Sequence, residues 1–322
     1  MDLIPFWLNI SGEILLSLSD GATLIRLHAN PCTKIMRKQA AISGATGFIG
    51  KYLSDWLRAH GYGVRGIPRD LLAGPPEDLT SMLEGSNLVI HLAGAPIIGR
   101  WTKRYKREIY ISRVLGTRKV VHAMERMEQA PEVFICASGV NIYPDGGVYT
   151  EEDTVISDGF LGEVCRDWEL EAMHASAFTR ALCFRFGMVL GKGGGALKTM
   201  ALPFRFGLGG KIGSGRQIMS WVHIEDLARA VGFAVNKKSL VGPLNLSSPA
   251  PVSNAEFTRT LARAMKRPAM IPVPAFAVRL LYGEAAGIIT RGSAAIPQKL
   301  RRAGFQFRYP EIGDALREVF SR

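Results

Sequence analysis

The stretch Gly44-Ala45-Thr46-Gly47-Phe48-Ile49-Gly50 lies between an apolar run that ends at Ser43 and a segment, 51–60, whose apolar residues recur with helical spacing. In a strand–turn–helix unit, the first glycine permits a tight turn, the second lets backbone amides approach a pyrophosphate, and the third lets helix and strand pack closely. The amino end of the helix adds unpaired amides and a partial positive charge. We therefore predict a dinucleotide-binding turn, with a purely structural turn as the alternative. The predicted contacts are Gly44, Thr46, Gly47, Phe48, Ile49 and Gly50.

Outward from this turn, buried apolar runs alternate with amphipathic segments. We predict strands at 40–43, 64–67, 88–93, 133–137 and 181–186, and helices at 51–60, about 103–128 and 165–175. Continuously apolar strands that alternate with helices are typical of a parallel sheet covered on both faces. The predicted fold class is therefore α/β, a doubly wound, Rossmann-like parallel sheet. We assign 38–240 to this dinucleotide-binding domain and 241–322 to a smaller C-terminal α/β lobe on the substrate side, interleaved with the last strands.

Residues 1–37 do not share this rhythm of apolar runs and helices. We expect either a disordered extension or a start codon placed too early, with Met36 as the true beginning. An organelle presequence is the lesser alternative, although Asp2, Glu13 and Asp20 argue against it. The predicted location is therefore the cytoplasm, or an organelle matrix if 1–37 is a presequence.

Composition excludes several classes of protein. Of 322 residues, 47% are apolar and 21% charged, which is ordinary for a packed domain and unlike a disordered chain. No apolar run reaches the roughly 18 residues of a membrane helix. The net charge is +12, but the bases are scattered, so we expect a basic surface or an anionic ligand and no nucleic-acid partner. The four cysteines lack metal-site spacing, so we expect reduced thiols and no metal.

The residues after the second and third strands refine the cofactor prediction. An acidic residue at the end of the second strand holds the ribose 2′-hydroxyl of NAD, whereas an arginine there accommodates the 2′-phosphate of NADP. Arg69 follows the second strand and favours NADP(H) over NAD(H), although a register shift to Asp70 would reverse this preference. Leu92, Ala93 and Gly94 follow the third strand and are predicted to pass the cofactor with their backbone.

Several further stretches resemble the short-chain dehydrogenase/reductase superfamily, in its extended, NAD-dependent epimerase/dehydratase-like branch. They match in particular an atypical, uncharacterised epimerase-like group with its own C-terminal domain. The resemblance covers roughly Lys38 to the end, and its stretches include His91 to Pro96, Ser112 to Thr117, Val133 to Ser138, Glu163 to Glu169, Gly213 to Gln217, Ser220 to Asp226, Asn254 to Phe257 and Gly304 to Pro310. It implies the Rossmann-like fold and a nicotinamide dinucleotide, and we add Gly187 to the predicted cofactor contacts.

The superfamily's usual catalytic groups are a Tyr-x-x-x-Lys pair, a Ser and an Asn. Ser138 matches the Ser and Ser112 stands at the Asn position, whereas Leu161 and Cys165 stand where Tyr and Lys are expected. Leucine cannot exchange a proton, and a thiol does not replace a permanent cation. The atypical group shares this Cys-for-Lys departure. Cys165 as a thiolate is one candidate acid or base, with a helix-packing thiol as the alternative; Tyr143 and Asp145 are others.

The sequence indicates the substrate less clearly than the cofactor. Met219 stands where nucleotide-sugar epimerases commonly carry a phosphate-binding Arg, so a nucleotide-sugar substrate is disfavoured. Lys211 and Arg216, in a glycine-rich stretch, are predicted to line a substrate rim, with a flexible surface loop as the alternative. The leading hypothesis is an NADP(H)-dependent oxidoreductase or epimerase-like enzyme for a small carbonyl or hydroxyl compound. The rival is an inactive NADP(H)-binding sensor or scaffold. Partners are a small-molecule substrate and, as one option, a second copy in a homodimer.

Overall fold

The structure is a computed structural model that describes residues 37–321. The predictions for 1–36, including a start at Met36, lie outside the described residues. The strands in chain order are β1 (Gln39–Ser43), β2 (Gly63–Ile67), β3 (Leu88–His91), β4 (Val133–Gly139), β5 (Val148–Tyr149), β6 (Arg180–Phe186), β7 (Met188–Leu190), β8 (Ile218–Met219), β9 (Trp221–His223), β10 (Gly242–Leu246), β11 (Val252–Ser253) and β12 (Ala294–Ala295). The helices are α1 (Phe48–Ala59), α2 (Arg69–Ala73), α3 (Pro76–Leu83), α4 (Lys103–Tyr110), α5 (Gly116–Glu125), α6 (Phe160–Met173), α7 (Gly195–Arg205), α8 (Ile224–Asn236), α9 (Asn254–Met265), α10 (Ala275–Tyr282), α11 (Gly287–Thr290), α12 (Gln298–Arg302) and α13 (Ile312–Phe320).

The five predicted apolar runs are neighbouring strands of one parallel sheet, in which β10 is a sixth strand. The order across the sheet is β10-β6-β4-β3-β1-β2. The chain passes from β1 to β2 on one side and then returns to β3 on the other, so Ser43 pairs with both Ile67 and His91. Ligands of doubly wound sheets bind at the carboxyl ends of strands where the order reverses. The glycine turn after β1 opens at that point, between β1 and β3.

Alternate residues of the central strands enter two separate hydrophobic cores. In β1, Ala40 and Ile42 pack on one face with Leu53 and Leu57 of α1. Ala41 faces the other side, in the core that α3, α5 and α6 complete. Because both faces of the strand are covered, the strand is apolar without alternation. The predicted doubly wound, Rossmann-like fold is confirmed.

The predicted long helix at 103–128 contains a change of helical type. It consists of α4, a π-helical segment at Ile111–Leu115, and α5, which ends at Glu125. Single π-helical turns within α-helices occur frequently at functional sites. Ser112 and Arg113 both lie on this segment. Helix α6 begins at Phe160, before the predicted start at residue 165.

The region after β7 is mainly helical. Helices α7, α9 and α13 share a hydrophobic core that includes Trp221 and Phe257. Its strands other than β10 are two or three residues long, so the region has less β structure than the α/β lobe expected from the sequence. Strand β10 pairs with β6 although it follows residue 240, so the central sheet extends past the predicted division. The division into two lobes itself stays a prediction.

Candidate functional site

The glycine turn is closed by backbone contacts that leave no room for a side chain. Gly44 has a φ of +71°, and a Cβ atom there would lie 3.2 Å from the backbone of Leu92 and Ala93. A Cβ at Gly50 would overlap the carbonyl oxygen of Gly44. Gly47 is the N-cap residue of α1, and no side chain caps the helix. The first-turn amides of α1 therefore have no intrahelical partner and are free to bind an anion. This geometry fits the pyrophosphate of a dinucleotide.

Ser43 ties the glycine turn to the end of β3. Its Oγ accepts hydrogen bonds from the amides of Leu92 (3.1 Å) and Ala93 (3.2 Å). The same oxygen lies 2.7 Å from Nδ1 of the fully buried His91. Because two amides already donate to the oxygen, its own proton goes to Nδ1, which places the imidazole proton on Nε2. Two strand ends that carry predicted cofactor contacts are thus held together.

His91 is buried as a neutral imidazole. Burial, and secondarily the nearby Arg113, lower its pKa to about 4. Between pH 6.5 and 4, His91 is protonated in the unfolded chain but stays neutral in the folded protein. We therefore expect the free energy of unfolding to fall by about 3 kcal/mol as the pH is lowered through this window. Urea unfolding at a series of pH values measures this loss.

The loss should be absent from His91→Gln and retained in a matched variant, His60→Gln, whose imidazole is exposed. An unchanged pH dependence in His91→Gln would mean that other groups account for the acid sensitivity.

The ring of Phe48 joins the cofactor helix to a glycine-rich segment. Cβ atoms at Gly191 and Gly195 would lie 2.9 Å and 3.0 Å from this ring, and one at Gly194 would overlap it. The absence of side chains there lets the backbone lie flat on Phe48. Gly187 is similarly constrained, because its Cβ would lie 2.8 Å from the carbonyl oxygen of Ser220. The structure thus explains Gly187 by close backbone packing, and its predicted cofactor contact stays a prediction.

Arg69 is the first residue of α2, directly beyond the end of β2. Its side chain is exposed, and within residues 37–321 it has no carboxylate partner. Since β2 lies next to β1, Arg69 follows the strand end beside the glycine turn, where the cofactor's adenosine ribose is expected. Asp70 is also exposed on the same helix, so the residue that favours NADP and the one that would favour NAD are both accessible.

The hydroxyl of Ser138 is held by a buried ion pair that the sequence reasoning did not foresee. Its Oγ donates to Oε1 of Glu169 at 2.6 Å. Arg185 donates to both oxygens of that carboxylate, from Nε at 2.8 Å and from Nη2 at 2.7 Å. Because the Ser138 hydroxyl donates to Glu169, it is not free to donate to a substrate oxygen, which is the role that we expect of Ser138 from its match to the family's Ser. The sequence did contain one indication of this ion pair, because Arg185 is a charged residue inside the otherwise apolar strand 181–186.

Tyr143 belongs to the same buried network. Its hydroxyl receives a hydrogen bond from Nη1 of Arg185 at 2.7 Å and lies 2.8 Å from both the carbonyl oxygen of Thr150 and Oδ1 of Asn245. Burial raises the pKa of the phenol, while Arg185 opposes this shift. For Arg185, burial acts to lower the pKa, but the bonds to Glu169 raise it overall. A buried phenol with these partners is a structural group, which argues against the predicted acid–base role of Tyr143.

Leu161 and Cys165 lie on successive turns of α6, as the resemblance implies for the Tyr and Lys positions. Leu161 packs against the apolar cluster around Ala95. Cys165 is buried, and this burial raises the pKa of its thiol to about 11. Burial thus favours the neutral thiol at neutral pH, which argues against the thiolate role and for the alternative of a packing residue.

Ser112 fixes the π-helical segment to the loop after β3. Its Oγ accepts from the amide of Ala95 at 3.0 Å and donates to the carbonyl oxygen of Ile109 at 3.0 Å. The hydroxyl is thus engaged on both sides, which argues against the predicted catalytic role of Ser112. The neighbouring Arg113 was missed by the sequence reasoning, although it lies inside the stretch that carries the family resemblance.

The predicted substrate-rim residues lie in an exposed segment that is tied down by its backbone. Lys211 and Arg216 are both exposed. The carbonyl oxygen of Lys211 accepts from the amide of Val273 at 2.8 Å. His223 accepts a hydrogen bond from the amide of Glu225 and so caps α8, and its Nε2 lies 2.9 Å from Oε2 of Glu318, which are structural roles. Asp145 forms an exposed ion pair at 3.6 Å with an arginine.

In residues 37–321 no group of three or more His, Cys, Asp or Glu side chains is arranged to hold a metal ion. Over the same part of the chain, none of the helices is long and apolar enough to cross a membrane.

Comparison with known proteins places the chain in a family. Residues 40–246 match the NAD dependent epimerase/dehydratase family, and residues 273–319 match a C-terminal domain of unknown function, DUF1731. The Bacillus subtilis epimerase family protein YfhF is 35% identical over 87% of this chain and 97% of its own length. A chloroplastic SDR39U1 homolog from Arabidopsis thaliana is 35% identical over 87% of this chain and 86% of its own. The structure of human epimerase family protein SDR39U1 with NADPH superposes with a TM-score of 0.83, at 34% identity, over 88% of this chain and 99% of the human one.

The first family match covers more than half of the chain. The protein therefore belongs to the NAD dependent epimerase/dehydratase family, and its residues 273–319 match the DUF1731 domain.

Proposed function

We propose that this protein binds NADP(H) and acts as an epimerase-like oxidoreductase on a small carbonyl or hydroxyl compound. The observation that carries the proposal is the glycine turn at the point where the strand order reverses between β1 and β3. There the uncapped amino end of α1 meets the backbone of Leu92 and Ala93, and glycine is sterically required at Gly44 and Gly50. These features suit a bound pyrophosphate.

The preference for NADP(H) rests on Arg69 and is supported by the NADPH in the related human structure. An exposed guanidinium without a carboxylate partner is suited to bidentate recognition of a phosphate. Replacing Arg69 with alanine is therefore expected to weaken NADPH binding by about tenfold and to leave NADH binding within about twofold. Calorimetric titration with both cofactors measures the change.

Arg58→Ala is the control, because Arg58 is an exposed arginine of α1 paired with Asp55. It should leave the affinity for both cofactors unchanged. If Arg69→Ala kept the full preference for NADPH, another residue would have to read the 2′-phosphate.

A nicotinamide cofactor supplies hydride transfer at the carboxyl edge of the sheet. This chain's own residues bind the pyrophosphate, hold the β3 loop through Ser43, and exclude water through the apolar surface at Leu161. Three of this chain's candidates for handling the accompanying proton are already engaged or uncharged. Ser138 donates to Glu169, Tyr143 is held by Arg185, and Cys165 is a thiol.

These engaged side chains favour a second candidate function, an NADP(H)-binding sensor or scaffold without turnover. A panel of aldehydes, ketones and hydroxy compounds, followed by the absorbance of NADPH, separates the two. Oxidation of NADPH with any carbonyl of the panel supports the oxidoreductase. Tight NADPH binding without turnover across the panel, together with a partner captured only in the presence of NADPH, supports the sensor.

A further inference from the structure

Helix α10 presents apolar side chains to solvent. Phe276 and Leu280 are 75% and 76% exposed, and because they lie four positions apart they share one face of the helix. Leu281 beside them is 69% exposed. The helix packs on the protein through Val278, which is buried. Surface helices of globular proteins normally turn their apolar side toward the core and their polar side outward. Packing within the chain therefore does not explain the apolar side chains that α10 exposes.

Two neighbouring segments extend this surface. Segment 206–211 runs beside segment 268–273, and two backbone hydrogen bonds join them, of which the shorter, 2.8 Å, runs from the amide of Val273 to the carbonyl oxygen of Lys211. The second segment leads directly into α10. Together they form a surface, the apolar patch, whose large apolar side chains are each more than half exposed: Phe206, Leu208, Met270, Phe276, Leu280 and Leu281. Apolar patches of this kind on a protein surface mark sites of interaction.

Basic side chains surround the apolar patch. Residues 195–216 contain four Lys or Arg and residues 257–283 contain five, whereas neither stretch contains Asp or Glu. The carboxylate that follows α10, Glu284, is already paired with Lys106 at 2.5 Å. Five of the bases are exposed, lie within four positions of a patch residue, and have no ion-pair partner within residues 37–321: Arg205, Lys211, Lys266, Arg267 and Arg279. The surface thus combines exposed apolar side chains with uncompensated positive charge.

Contacts at the end of α10 fix its orientation. The turn after the helix is held by the ion pair between Glu284 and Lys106 of α4, and by the burial of Ala285. Rotating the helix inward would expose Val278 and break this ion pair. The apolar face of α10 is therefore a fixed feature of the surface.

The arrangement fits the surface of a bilayer that carries anionic phospholipids. Side chains that are about three-quarters exposed project from the protein, so they can enter the boundary between lipid headgroups and acyl chains. Arginine and lysine side chains beside them can reach the lipid phosphates, while their aliphatic stems stay near the apolar residues. Apolar contact and charge therefore favour the same partner.

Two other occupants fit this surface less well. In a two-fold symmetric contact with a second copy, the patch would meet itself and its bases would face the same bases. Peptides and helices of protein partners usually bind in grooves. Met270, which is 82% exposed, projects from the surface and does not line a groove.

We propose that the apolar patch and its surrounding bases dock this protein reversibly on bilayers that contain anionic phospholipids. The apolar side chains supply affinity for the bilayer interface, and the bases select negatively charged lipids. One short helix and two adjoining segments give a contact that exchanges, unlike a spanning helix. The patch does not include the glycine turn or Arg69, so this docking is independent of the proposed binding of NADP(H).

Co-sedimentation of the full-length chain with large unilamellar vesicles tests the proposal. One preparation contains equal amounts of phosphatidylcholine and phosphatidylglycerol, and the other contains phosphatidylcholine alone. We expect the partition coefficient to be at least about tenfold higher with phosphatidylglycerol, because several bases gain from the anionic surface. Raising the salt concentration from about 0.05 M to about 0.5 M should reduce this binding at least about fivefold, because the charges are then screened.

Substitutions separate the apolar contribution from the electrostatic one. Phe276→Ser/Leu280→Ser should lower the partition coefficient at least about tenfold, because two apolar side chains no longer enter the bilayer. Arg267→Glu/Arg279→Glu should lower it by at least about tenfold with phosphatidylglycerol, because two attractive charges become repulsive. All four side chains are exposed, and circular dichroism establishes that each variant is folded.

Leu170→Ser and Lys237→Glu/Lys238→Glu are the matched controls. Leu170 is 58% exposed on α6, and the two lysines are exposed directly after α8. These variants change the same types of residue outside the apolar patch. They should bind both vesicle preparations as the wild type does.

The proposal would be overturned by a wild type that stays in the supernatant with both vesicle preparations, or by a Phe276→Ser/Leu280→Ser variant that sediments as fully as the wild type. Equal binding to both preparations would contradict the role of the bases. A wild-type dimer in light scattering that this variant converts to a monomer, without vesicle binding, would assign the patch to a second copy instead. A wild type that binds vesicles but not NADPH would overturn the proposed function alone.

Discussion

Replacing Gly50 with alanine is expected to reduce NADPH affinity by about a hundredfold and to destabilise the protein by about 1–3 kcal/mol. The added methyl group would overlap the carbonyl oxygen of Gly44 and come within 2.8 Å of Cα of Ala45. Both are backbone atoms of the turn, so helix α1 must move away from β1. That movement displaces the first-turn amides, and the loss of two or three amide–phosphate bonds, each worth about 1 kcal/mol, accounts for the affinity. Calorimetry with NADPH and urea unfolding measure the two effects.

Gly313→Ala is the matched control for this variant. Gly313 also lies near the beginning of a helix, α13, but a Cβ atom there meets nothing within 4 Å. Alanine at this position should be neutral or stabilise the protein by about 0.5–1 kcal/mol, because it restricts the unfolded chain and favours the helix. Normal NADPH affinity in Gly50→Ala would show that the turn does not form the phosphate site.

Replacing Arg185 with methionine is expected to cost about 3–5 kcal/mol of the free energy of unfolding. The side chains of Arg185 and Glu169 are only 8% and 9% exposed, so the carboxylate would be left buried without its cation. Two charged hydrogen bonds to Glu169 and one to Tyr143 would also be lost. The midpoint of urea unfolding should fall accordingly, with an unchanged dependence on denaturant concentration.

The companion variant Glu169→Gln/Arg185→Met removes the uncompensated charge as well. It should be more stable than Arg185→Met alone, because a neutral amide costs less to bury than an unpaired carboxylate. Arg317→Met removes one partner of an exposed ion pair with Asp314 and should change stability by less than about 1 kcal/mol. If Arg185→Met were as mild as this control, the buried ion pair would not stabilise the fold.

Much of the fold follows from local sequence patterns. The spacing from Gly44 to Gly50 and the flanking apolar runs correctly predicted the first strand, the helix and the class of sheet. They succeed because a two-sided parallel sheet requires uninterrupted apolar strands, and because glycine at these positions is demanded by the backbone itself. The π-helical segment and the membership of β10 in the sheet were not evident. Neither changes the composition of its segment in a way that a local pattern detects.

The catalytic predictions depended on contacts between residues far apart in the chain. Sequence position predicts Ser138 at the end of a strand and Leu161 and Cys165 on one helix, and the structure has them on β4 and α6. Only the tertiary structure pairs Ser138 with Glu169, 31 positions away, and raises the pKa of the Cys165 thiol by burial.

The sequence by itself thus determined a dinucleotide-binding, epimerase-like scaffold, because the backbone of a phosphate-binding turn constrains residues that are neighbours in the chain. Only the tertiary structure decided which polar groups are already engaged and that Arg113 lies beside Gly94 without an acidic partner. Burial and charge pairing are properties of the folded arrangement, and they set the state in which each side chain meets a ligand.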